Sequence, residues 1–122
     1  MDCINLRGLK LYGYHGCMAE ERALGQIFTV DLALYLDLST AGQSDNLADT
    51  LNYAEAVGLV QNIVEGEPQR LLERVAEKIA AALLAEYPLL VSLTVTVHKP
   101  NVPLIVECAD VAVTVARERE KA

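Results

Sequence analysis

The sequence predicts an α+β fold: an antiparallel sheet with two helices on one face, in the order β-β-α-α-β-β. Three observations carry this. Two long segments, "IFTVDLALYLDL" (27–38) and "VSLTVTVHKP" (91–100), alternate apolar and polar residues with period two, the pattern of half-buried strands. Between them lie two stretches whose apolar residues recur at helical spacing. The chain has 122 residues, 52% of them apolar, which suits a single domain, 1–122, with one modest core.

Taken in order, Ile4 to Tyr12 reads as the first strand, with Gly8 inside it as a bulge. "GYHGCMAEERALGQ" follows as a turn with one or two helical turns. In the second strand Phe28, Val30, Leu32, Leu34 and Leu36 share one face, and Thr29, Asp31, Ala33, Tyr35 and Asp37 the other. Residues 39–50 are a polar connection rich in Ser, Asp, Gly and Asn. The first long helix, "NYAEAVGLVQNIVEGE", opens on Asn52 and Glu55, spaced as a capping box. It carries Val57, Val60, Ile63 and Val64 and ends at Gly66.

The second long helix runs from about Gln69 to Tyr87. Leu71, Val75, Ile79 and Leu83 form one row, and Leu72, Ala76, Ala80 and Leu84 the row beside it. Pro68 stands where a first-turn proline is tolerated, and Pro88 ends the helix. The third strand turns Val91, Leu93, Val95 and Val97 inward, and Val111, Val113 and Val115 make the fourth. One such sheet has two open edges. Long apolar edges invite pairing, so an obligate oligomer is expected.

Composition excludes several functions. The net charge is −7 and the ten basic residues are scattered, which disfavours nucleic-acid binding. No apolar run reaches the ~18 residues of a membrane span. The N-terminus lacks the pattern of a signal peptide, so a cytoplasmic protein is expected. Cys3, Cys17 and Cys108 are an odd count without metal-like spacing and read as reduced thiols. Cys17 is expected to be a small buried filler. With only His15 and His98, a catalytic zinc set of three protein ligands has no support, and no metal is expected. A phosphate loop and a serine or cysteine triad are absent from the pattern.

The remaining candidates are Lys99, the carboxylates Glu20, Glu21 and Glu73, and Tyr14 and Tyr53. Glu20 and Glu21 read most simply as solvated charges. His15, in a glycine-bracketed turn, reads as a turn residue. Glu73, in the first turns of a helix, either complements the helix dipole or accepts two N–H groups from a heterocycle. Lys99 is harder to dismiss. It falls on the apolar side of the third strand and is followed by "PNVPLIV", a restrictive segment with two prolines. A lysine so placed is a candidate for chemistry.

"LYGYHGCMAEERALGQIFTVDLAL", "SDNLADTLNYAEAV", "LLERVAEKIA" and "VTVHKPNVP" together resemble the dihydroneopterin aldolase family of the folate pathway. The resemblance implies the tunnelling fold, in which subunits join their sheets into a barrel. The assembly would be a homo-oligomer, a tetramer or octamer, with sites between neighbours. It implies a pterin substrate and a lyase reaction without metal, cofactor or Schiff base. In that reaction 7,8-dihydroneopterin is cleaved to 6-hydroxymethyl-7,8-dihydropterin and glycolaldehyde. Glu73 would hold the amino-pyrimidine edge, with Leu72 and Leu51 against the ring. Thr50 and Tyr53 would come from the neighbouring subunit. Glu21 would bind the polyol tail and Lys99 would transfer protons. An epimerase of dihydroneopterin or its triphosphate shares these motifs and is the rival enzyme. A pterin-binding ring without catalysis is the other rival.

Overall fold

The computed structural model describes residues 1–120. Four strands, β1 (Cys3–Gly13), β2 (Gln26–Tyr35), β3 (Ser92–Lys99) and β4 (Val111–Glu118), form one antiparallel sheet in chain order. Two long helices, α3 (Tyr53–Val64) and α4 (Leu72–Glu86), follow two short ones, α1 (Ala19–Leu24) and α2 (Ser39–Ser44). The expected order of the main elements holds.

The alternation sets which sheet face is buried. Phe28, Val30, Leu32 and Leu34 of β2 and Leu93, Val95 and Val97 of β3 are buried. They join one core cluster with Ala56, Val60 and Val64 of α3 and Val75, Ala76, Ile79, Ala80 and Leu83 of α4. The small residues Ala56, Ala76 and Ala80 let the helices sit close to each other and to the sheet. α4 lies against β3 and β4, and α3 reaches β1.

Gly8 is the bulge that the sequence suggests. The β1–β2 register slips between Leu6 and Leu9, and Gly8 has φ +72°, a conformation that only glycine adopts without strain. Its N–H, freed from the ladder, donates to Asp31 Oδ1 at 2.7 Å.

Three boundaries differ from the sequence reading. Residues 39–50 are not a plain connection: they hold α2 and a 3₁₀ turn, Leu47–Asp49. Neither buries a residue, so neither has an apolar stripe. Local side-chain-to-backbone hydrogen bonds hold them instead. Asp37 accepts from Ser39 N–H at 2.9 Å, and Asn46 accepts from Ala48 N–H at 3.0 Å. The capping box of α3 is half made: Asn52 accepts from Ala54 N–H at 3.0 Å, with no return bond from Glu55 among the described residues.

α4 begins at Leu72, not near Gln69, and Pro68 lies ahead of its first turn. The preceding segment is held elsewhere. Gln69 N–H donates to His15 Nδ1 at 2.9 Å, and Gln69 O accepts from Gly16 N–H at 2.9 Å. Leu71 is therefore an extended N-cap, 51% exposed, rather than the first member of the core row. At the other end Arg119 donates to the carbonyls of Leu84, Tyr87 and Leu90 at 2.7–3.0 Å, satisfying acceptors that a helix end leaves open.

β1 and β4 are the two edges of the sheet. Val111, Val113 and Val115 on β4 are only half-buried in the single chain. Among the described residues no helix is long and apolar enough to cross a membrane.

Candidate functional site

A cavity of about 290 Å³ opens where three parts of the chain meet. One wall is the segment from Cys17 to Glu21. The second is the start of α4, Arg70 to Glu73. The third is the end of β3 with the loop behind it: Lys99, Val102, Pro103, Leu104 and Val111.

The first two walls are stitched together by His15. The ring is fully buried and lies edge-on to Phe28, with centroids 5.2 Å apart. Its Nε2–H donates to Val64 O at 2.7 Å, while Nδ1 accepts from Gln69 N–H at 2.9 Å. That pair of partners requires the neutral tautomer with the proton on Nε2. Burial pushes its pKa down, outweighing the Val64 carbonyl that favours the charged form. His15 is thus a structural staple, not a simple turn residue. Cys17 is exposed rather than buried. The strap holds the 13–18 turn at the surface of α4's approach, and Sγ reaches Arg70 O at 3.4 Å.

Lys99 ends β3 on the core side of the sheet, where the helices leave room. Its Nζ lies 2.5 Å from Glu21 Oε2, and the two side chains are only 12% and 11% exposed. Glu21 is therefore not a solvated charge. Its Oε1 accepts from Met18 N–H at 3.3 Å, closing the first turn of α1. Its Oε2 is buried and has the charge contact with Lys99 but, among the described residues, no well-aligned hydrogen-bond donor. Glycine is needed at position 16: a Cβ there would meet the Glu21 carboxylate at 2.5 Å. A buried ion pair gains stability only when its remaining hydrogen-bonding capacity is met. Here Glu21 Oε2 is buried with that capacity unmet among the described residues.

Glu73 is exposed in the first turn of α4. The N-cap, Leu71, has no side-chain cap, so the first N–H groups of this turn lack a side-chain acceptor. A carboxylate in a helix's uncapped first turn can accept from N–H groups of a planar heterocycle. Leu72, beside Glu73, is buried.

The structure brings Glu21, Leu72, Glu73 and Lys99 to one cavity. Thr50, Leu51 and Tyr53 do not line it. Leu51 is part of the core, Thr50 is half-buried, and Tyr53 is 58% exposed at the start of α3. Glu20 lies on an adjoining open cavity of about 880 Å³, between α1 and residues 100–108. Tyr14 is exposed and packs edge-on against Tyr12. Sequence reasoning missed Cys17 as a wall of the site and His15 as its staple. The only available signal for His15 was a histidine in an otherwise apolar neighbourhood.

Comparison with known proteins bears directly on this geometry. Residues 4–116 match the dihydroneopterin aldolase family. Dihydroneopterin aldolase 1 of Arabidopsis thaliana is 46% identical over 97% of this chain and 82% of its own length. Dihydroneopterin aldolase of Bacillus subtilis is 44% identical over 98% and 99%. The crystal structure of the Escherichia coli dihydroneopterin aldolase in complex with neopterin superposes with a TM-score of 0.87. It is 31% identical, covering 96% of this chain and 99% of that one. With residues 4–116 matching the family and relatives 44% and 46% identical covering nearly the whole chain, this chain belongs to the dihydroneopterin aldolase family.

Proposed function

We propose that this chain performs the retro-aldol cleavage of 7,8-dihydroneopterin in folate biosynthesis, with Lys99 as the proton carrier. The observation that carries the mechanism is the Lys99–Glu21 pair in a cavity whose opposite wall is the start of α4. In this reaction the 2′-hydroxyl loses its proton and C2′ becomes the aldehyde carbon of glycolaldehyde. The C1′–C2′ bond breaks, and its electron pair passes into the C6=N5 imine of the pterin. C1′ then gains a proton, leaving the hydroxymethyl product. The ring is the electron sink, so the enzyme must orient it and move two protons.

Glu73 takes the amino-pyrimidine N–H groups, and the free N–H groups at the start of α4 suit the ring carbonyl. Leu72 lies against the ring. Glu21 holds Lys99 and accepts from the tail hydroxyls. Thr50 and Tyr53 act from a neighbouring subunit, which fits their absence from the cavity of a single chain; Leu51, expected against the ring, is instead buried in the core. Tyr53 then stands near the reacting hydroxyl.

Incubation with 7,8-dihydroneopterin and analysis of both products tests this reading. Stoichiometric glycolaldehyde and 6-hydroxymethyl-7,8-dihydropterin are expected. An epimerase breaks the same bond but rejoins it on the other face of C2′. Accumulation of the C2′ epimer without glycolaldehyde would therefore replace the aldolase reading, and binding without turnover would leave a pterin-binding ring.

The assembly follows from the open edges of β1 and β4. Pairing β4 of one subunit with β1 of the next extends the sheet and removes both edges. A ring of at least four subunits is expected by sedimentation at micromolar concentration. A stable, active monomer would contradict it.

A further inference from the structure

His98 precedes Lys99 on β3, so the two side chains point to opposite faces of the sheet. On the face away from the helices, the His98 ring lies between two carboxylates. Nε2 is 2.7 Å from Asp31 Oδ2 of β2, and Nδ1 is 2.8 Å from Asp110 Oδ2, just before β4. The other oxygen of Asp31 is held by the Gly8 N–H of the β1 bulge. The network therefore runs across β1, β2 and β3 to the residue that precedes β4.

Its position matters for the site. Lys99 pairs with Val111 at the last rung of the β3–β4 ladder, and His98 pairs with Ala112 one rung below. The His98–Asp110 contact thus brackets the rung that carries Lys99. It also closes the neck of the loop 100–110, whose Val102, Pro103 and Leu104 wall the cavity. A second tie holds the same neck: Gln26 exchanges two hydrogen bonds with the Asn101 backbone, at 3.0 and 3.2 Å. Beyond these ties the apex at Ile105 is fully exposed.

We propose that His98 is a positioning residue for the reaction. By bridging Asp31 and Asp110 it fixes the final rung that carries Lys99 and the neck of the loop that walls the pocket. The inference rests on the reading of Lys99 as the proton carrier.

The bridge needs both ring nitrogens as donors, which only the imidazolium provides. A neutral ring would turn a lone pair toward one carboxylate, and that half of the bridge would open. The charged groups around it agree. Hydrogen bonds that the ring donates to Asp110 and then Asp31 push the His98 pKa up, against partial desolvation. At Asp31, desolvation acts upward, but the Gly8 N–H and His98 outweigh it and hold the carboxyl below its ordinary value. Arg7 of β1 adds to this. Lys10 of β1 lies in the same cross-strand row as His98, two strands away beyond Thr29.

The sign follows. Because His98 holds its proton more tightly when folded, the bridge is complete below about pH 6.5. It is lost as pH rises through the raised folded value.

The test measures kcat and product affinity from pH 6 to 9 for the wild type, His98→Gln, Asp110→Ala and Lys99→Ala in the assembled protein. At pH 6, His98→Gln and Asp110→Ala should each lower kcat about tenfold, on the scale of a displaced catalytic group. Pterin product affinity should change less than twofold, and the double variant should lose no more than the worse single one. The ratio of wild-type to variant kcat should fall toward one as pH rises. The Asp110 side chain is 42% exposed and lies in a loop, so Asp110→Ala keeps the test valid should His98→Gln fold poorly. A ratio flat with pH, or unchanged kcat with a lowered Tm alone, would make His98 merely structural. If Lys99→Ala also kept wild-type turnover, the proton-carrier reading itself would fall. A slow Lys99→Ala beside wild-type-like His98→Gln and Asp110→Ala would overturn only the positioning role.

Discussion

Lys99→Ala is expected to lower turnover by about 10²-fold or more, the usual scale for removing a general acid–base group. Binding of the pterin product should weaken far less, because the proposed ring contacts, Glu73 and the start of α4, lie on the opposite wall. Steady-state kinetics beside product titration separates the two effects. Borohydride added with substrate should leave the mass of the wild-type protein unchanged, since no lysine imine forms.

The stability of this variant is where the structure changes the outlook. From the sequence, Lys99 is an ammonium group pointing into an apolar face, and its removal should leave stability unchanged or raised. The structure pairs it with a buried Glu21. Removing one partner of a buried pair leaves the other charge uncompensated, a loss of about 3 kcal/mol. Lys99→Ala/Glu21→Gln should recover much of that stability without recovering turnover. Chemical denaturation of the two variants would show it.

The second large effect is on recognition. Glu73→Gln keeps the shape of the side chain but replaces a charged acceptor of two N–H groups by an amide. Charge-assisted hydrogen bonds are roughly twice as strong as neutral ones, and the substitution leaves one donor poorly matched. Pterin product affinity should fall by about 2 kcal/mol, some thirtyfold in Kd. Because Glu73 is exposed in the free chain, the fold should be unaffected. Calorimetric titration with the product checks this. Unchanged affinity would reduce Glu73 to a partner of the helix dipole, worth a few tenths to 1 kcal/mol.

Both variants sit on residues that could be picked out in the sequence, and the reason is local. Strand alternation ends on Lys99 at the wrong face for a lysine, and Glu73 follows two leucines at a helix start. The same alternation made β2 and β3 legible, because one face of each is buried and the other is not. Elements without a buried stripe were not legible. α2 is held by Asp37 and Asp45 at its ends rather than by packing, and periodicity cannot see it. The start of α4 was misplaced because a tertiary strap from His15 and Gly16 overrides the local helical signal of Gln69 to Leu71.

Glu21 shows the limit most clearly. Nothing in "CMAEE" distinguishes it from Glu20, and only the meeting of α1 with the end of β3 buries one and leaves the other outside. The resemblance to a family, not the residue pattern, pointed to Glu21. The same holds for Thr50, Leu51 and Tyr53, which no contact within a single chain brings to the cavity. A site shared between subunits, as proposed here, would leave part of its signal outside any one fold.

The most direct test of the central claim is the chemical step itself. In a rapid-quench single turnover with 7,8-dihydroneopterin, the enzyme is in excess and product release does not contribute. The wild type should release glycolaldehyde in one fast phase, and Lys99→Ala should slow that phase by about 10²-fold or more while still binding the pterin. A Lys99→Ala chemical step at the wild-type rate would contradict the mechanism and leave Lys99 as the structural end of a strand.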